Sequence, residues 1–135
     1  MKVLLCLALA PQIERVLQAT KLMLATRVPQ PKIDVLHVID TRTLANSESG
    51  QQAEAVLKQE SAGIYELAKE YLGTGINYLE EYGTPQIKID NAISSTSYDL
   101  IIVGTKGRSA LANAVLGSIA EHLLHHCTIP VMIVP

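Results

Sequence analysis

The chain has 135 residues, 48% of them apolar and 18% charged, with a formal net charge of −2. That suits one domain over residues 1–135 with ample core material and too little polarity for disorder. A weakly acidic chain without Trp or Phe excludes the basic surface and stacking rings of nucleic-acid binders, and two cysteines, Cys6 and Cys127, exclude a disulfide framework or a four-cysteine zinc site.

Residues 1–10 carry one positive charge, an apolar run and an Ala8-Leu9-Ala10 ending, as a secretory leader does. A strand buried on both faces reads the same way. Ten residues is short for a leader, and the pattern downstream requires a first strand, so a strand is expected over residues 3–9. No other run approaches the ~18 apolar residues of a membrane span. Pro11 opens a helix with Ile13, Val16, Leu17, Thr20 and Leu24 at helical spacing, stopped by Val28-Pro29-Gln30-Pro31. Residues 33–39 form a second, β-branched strand, residues 40–51 a polar loop, and residues 52–72 a long helix ended by Gly73 and Gly75. A third strand spans Ile76 to Tyr82, and Pro85 opens a helix turning Ile89, Ala92 and Ile93 inward. A fourth strand spans Asp99 to Val103, a helix covers residues 119–127, and Val131-Met132-Ile133-Val134 closes the chain as a fifth strand.

Strands alternating with helices give an α/β fold, a parallel sheet joined by right-handed crossovers with helices on both faces. The expected result is a three-layer, doubly wound, five-stranded sheet in order 3-2-1-4-5. Its ligand crevice lies at the carboxyl ends of the strands, where the order reverses. The loop after the fourth strand reads Gly104-Thr105-Lys106-Gly107-Arg108-Ser109, and Gly117-Ser118 follows. Two glycines three apart permit a sharp turn, Lys106 and Arg108 add charge, and Ser118 with Glu121 fits a capping box. A helix start offers free N–H groups to an anion, and a phosphate is the anion expected. Backbone amides of residues 104–107 and 117–119 are thus expected to gather into one cradle. Neither a P-loop nor a Gly-x-Gly-x-x-Gly fingerprint is present.

Gly104-x-x-Gly107, nine residues, then Gly117-Ser118 resembles the nucleotide motif of the universal stress protein family. The segments Asp34–Asp40, Asp99–Gly104 and Ile129–Val134 resemble that family's second, fourth and last strands. The resemblance implies an adenine nucleotide alpha hydrolase-like fold and a cytoplasmic stress-response dimer binding ATP or another adenine nucleotide, with Mg2+ only alongside it. It places Gly104, Lys106, Gly107, Arg108, Gly117, Ser118 and Ile119 around phosphates and ribose, and the Val38 backbone against adenine. Nucleotide-binding relatives usually carry Asp at the end of the first strand and Ser two residues later, where this chain has Ala8 and Ala10. Binding is expected to survive in weakened form.

His122, His125, His126 and Cys127 cluster on the last helix, and the i, i+4 pair His122 and His126 has metal-ligand spacing. Offsetting the dipole of a helix C-terminus is the commoner role, and it is preferred here. Cys6 reads as an inert core thiol and Cys127 as an ordinary one with histidines nearby. Asp40 reads as a cap rather than a magnesium ligand, and Glu80-Glu81 as charge guarding an edge strand. The apolar last strand, at the other edge, invites a homodimer through Val131, Met132, Ile133 and Val134. The alternative function is an interaction module of the same fold that binds an unidentified protein and no nucleotide. An enzyme is disfavoured, slow ATP hydrolysis at most, because no triad or paired carboxylates are evident. A receiver domain lacks its acidic pair after the first strand.

Overall fold

The computed structural model describes residues 1–44, 50–106 and 116–135. In chain order it comprises β1 (Lys2–Cys6), α1 (Ile13–Leu24), β2 (Lys32–Asp40), α2 (Thr41–Leu44), α3 (Gly50–Leu72), β3 (Asn77–Gly83), α4 (Pro85–Ser95), β4 (Leu100–Gly104), α5 (Ser118–His126) and β5 (Val131–Val134). All five strands are parallel, in order β3-β2-β1-β4-β5, as expected. The apolar run at the N-terminus is the central strand, Leu5 lying between Val35 of β2 and Ile102 of β4.

Burial on both faces explains why β1 and β4 show no polar alternation. Val3 and Leu5 pack with α1 and α3 on one face, through Val16, Leu17, Ile64 and Ala68. Leu4 and Cys6 pack with α4 and α5 on the other, through Ile89, Ala120 and Leu123. The five α1 residues expected to face inward are all buried. α3 ends where Gly73 takes φ +88°, a conformation costly for any residue with a Cβ.

Most boundaries lie within one or two residues of those expected, and two differences are larger. β1 stops at Cys6 rather than residue 9, because Leu7 to Ala10 turn away over the sheet's end. The segment expected as a loop from residue 40 begins with α2. Asp40 starts it: its carboxylate accepts the Arg42 backbone N–H at 3.0 Å, as an N-cap does. The Arg42 guanidinium also donates to both oxygens, at 2.9 and 2.7 Å, and this holds the Asp40 carboxyl below its ordinary range.

At the opposite end of the sheet, Asp34 is buried on β2. Tyr98 donates its hydroxyl to Asp34 Oδ2 at 2.6 Å, Asn77 Nδ2 donates to Oδ1 at 3.3 Å, and Lys2 Nζ lies 3.6 Å from Oδ2. The Lys2 backbone N–H donates to Asp99, so this network fastens the start of β1 to the approach to β4. Burial and the neighbouring Cys127 raise the Cys6 thiol to about 12, which keeps it a neutral core group. Among the described residues, no helix is long and apolar enough to cross a membrane.

Candidate functional site

β1 is flanked by β2 and β4, so the connections leaving β1 and β4 run to opposite faces of the sheet and a crevice opens between them. A cavity of about 200 Å³ lies there. Leu7 to Ala10 form one wall, Val38 and Ile39 of β2 another, and Ile89 of α4 closes a third side. Gly104 and Lys106 meet Ser118, Ile119 and Ala120 at the remaining wall.

Val38, Gly104, Lys106, Ser118 and Ile119 therefore line one cavity. Gly117 sits beside it and is buried. Gly107 and Arg108 lie outside the described residues. The stretches around residues 104–106 and 117–119 are joined directly, because the Gly117 amide donates to the Thr105 carbonyl.

The amide cradle differs in detail from expectation. The Thr105 N–H is taken by the Val134 carbonyl at 2.9 Å, and the Gly117 N–H by Thr105, so neither faces a ligand. The free donors are the first-turn amides of α5, at Ser118, Ile119 and Ala120, which have no partner within the described residues. The capping box also fails to form. Gly117 is the N-cap, Ser118 is the first helical residue, and no side chain caps the helix. A side-chain oxygen here would occupy one of those amides, and a glycine cap leaves them open. Lys106, exposed at the rim, adds the positive charge.

Two polar groups in the cavity escape local pattern reading. His37, 8% exposed, donates from Nδ1 to the Leu7 carbonyl at 2.9 Å and so braces the turn after β1. Gln12 donates from Nε2 to the Lys106 carbonyl at 2.6 Å. A histidine flanked by Leu36 and Val38 in β2 was the signal for the first, and nothing local signalled the second.

The α5 histidines lie away from the cavity. His122 Nε2 is 2.9 and 3.0 Å from the Asp90 carboxylate oxygens of α4. His126 Nδ1 bonds the His122 carbonyl at 3.0 Å, and the two rings stack at 4.6 Å. Among the described residues no group of three His, Cys, Asp or Glu is placed to hold a metal ion.

The three-layer parallel sheet in this strand order is shared with solved universal stress proteins, whose fold is the adenine nucleotide alpha hydrolase-like one. Residues 1–135 match the model of the universal stress protein family, and the chain belongs to that family. A Staphylococcus haemolyticus protein bearing the universal stress protein name is 28% identical over 76% of this chain. The match spans 66% of that relative, just under two thirds of its length. Among solved structures, hypothetical protein MJ0577 superposes with a TM-score of 0.86 at 25% identity, covering 98% of this chain and 94% of that one. A universal stress protein in complex with cAMP superposes at 0.69, with 19% identity and coverage of 99% and 95%. One from Archaeoglobus fulgidus in complex with dAMP superposes at 0.64, with 16% identity and coverage of 100% and 98%.

Proposed function

We propose that this chain binds an adenine nucleotide in the cavity at the mouth of the sheet and acts as a nucleotide-responsive dimer in the cytoplasmic stress response. The observation that carries the reading is the pairing of an apolar cavity with the open amides of α5 at one end. Leu7, Val38, Ile39 and Ile89 suit a flat, weakly polar base. The first turn of α5 and Lys106 suit a phosphate, which a helix N-terminus favours through its free N–H groups and dipole. The cAMP and dAMP complexes of fold neighbours support an adenine ligand. ATP, with Mg2+ alongside its phosphates, fits the same reading.

Calorimetric titration with AMP and adenosine tests it, using Lys106→Glu as the control. The charge reversal is expected to weaken AMP about tenfold or more, while adenosine changes less than about twofold. An interaction module without nucleotide, the reading that Ala8 and Ala10 favour, is supported instead if AMP fails to bind the unaltered chain.

The proposed dimer pairs two copies of the chain through β5, an apolar edge strand. The carbonyls of Pro130 and Val134 accept from Ile101 and Thr105 at 3.0 and 2.9 Å and so face β4. The two-residue repeat of a strand turns the backbone groups of Val131 and Ile133 to the open edge. Ile133→Pro removes one outward N–H and leaves the β4 ladder its donors. Sedimentation velocity is expected to show a dimer for the native chain and a monomer for this variant. An unchanged dimer in the variant would place the interface elsewhere.

A further inference from the structure

We infer that Gln12 is a positioning residue for the phosphate-bearing end of the ligand, holding the Lys106 backbone, just after β4, in place across the cavity. The inference rests on the nucleotide reading above.

Gln12 is the N-cap of α1, with φ −97° and ψ 13°, and its side chain makes no cap hydrogen bond. Ser, Thr, Asp and Asn are the residues that stabilise a helix from this position, and Gln does so poorly. The side chain reaches across the crevice instead, to the carbonyl of Lys106, 94 residues away in sequence. A carbonyl oxygen only accepts, so the side-chain NH2 must be the group facing it. Both residues line the cavity, and Gln12 is the polar side chain in a wall otherwise built from Leu7, Ala8, Leu9 and Ala10.

The backbone is arranged for this contact. A Cβ at position 104 would stand 3.1 Å from Val16 Cγ2 and 3.4 Å from Gln12 Nε2. The bare Gly104 backbone thus packs closely against α1, two residues before the carbonyl that Gln12 bonds. A residue that forgoes local helix stability for a long-range bond at a cavity wall marks a position shaped by the site. Held this way, the Lys106 backbone stays beside the first turn of α5. Released, its cationic side chain would lose a fixed anchor.

The decisive variant is Gln12→Ser, which supplies a better helix cap and cannot span the crevice. Its melting temperature is expected to be unchanged or higher, while AMP affinity falls about fivefold and adenosine stays within about twofold. The near-isosteric Gln12→Glu, which lacks the donor and brings negative charge to the carbonyl, is expected to lose more for AMP. Calorimetry with both ligands and a thermal melt reads all three quantities. Equal losses for AMP and adenosine, or a fall in stability that tracks the fall in affinity, would mean a structural role and overturn the inference. Unchanged AMP affinity in both variants would overturn it while leaving the nucleotide site intact. A native chain that binds neither ligand would end both readings.

Discussion

Ala8→Asp is expected to tighten AMP binding by about ten- to a hundredfold. Ala8 lines the cavity just after β1, on the turn that His37 braces through the Leu7 carbonyl. The cavity's own carboxylate, Asp40, is held from two sides by Arg42. A carboxylate at position 8 would add an acceptor for a ligand hydroxyl or amine, and a charge-assisted bond of this kind contributes about 1.5–3 kcal/mol. Titration of AMP into the variant checks it. Affinity that is unchanged or lower would mean that the ligand's donors do not reach the end of β1, and the base would then have to lie elsewhere in the crevice.

Tyr98→Phe is expected to lower stability by about 1.5–3 kcal/mol at neutral pH, measured by urea unfolding. The lost hydroxyl is the shortest partner of Asp34, at 2.6 Å, and Asp34 is only 7% exposed. Its other contacts, Asn77 at 3.3 Å and Lys2 at 3.6 Å, compensate poorly. The same bond sets an alkaline limit. Burial first, then the hydrogen bond to Asp34 and its charge, raise the Tyr98 pKa. Burial likewise pushes Tyr78 up to about 12. A group whose folded pKa exceeds its unfolded one holds its proton longer in the native state. The native chain should therefore keep this contribution below pH ~10 and lose it as pH climbs through the folded values. The Phe variant should lose less over the same range. Parallel slopes for the two proteins above pH ~10 would contradict the assignment to Tyr98.

Much of the fold was legible because its signals are local or periodic. Val3 to Cys6 and Ile101 to Val103 read as apolar runs, and α1 repeats its buried residues at helical spacing. With three elements of that clarity and glycines at the breaks, the rules of parallel connection leave few topologies. The cavity followed from topology, and five of its expected residues line it. The features missed are of another kind. Gln12 bonds across 94 residues and Tyr98 across 64, and no spacing rule foresees a pair so distant. The expected capping box matched a local pattern, yet the helix begins one residue earlier than that pattern needs. Ser118 is consequently a helical residue, and the open amides belong to α5 alone.

The bond between Gly117 and Thr105 also reaches the edge of the sheet. Thr105 in turn donates to the Val134 carbonyl, so the start of α5, the exit of β4 and the end of β5 are tied in one relay of backbone bonds. A disturbance at the last strand would thus travel to the first turn of α5 through two amides and no side chain.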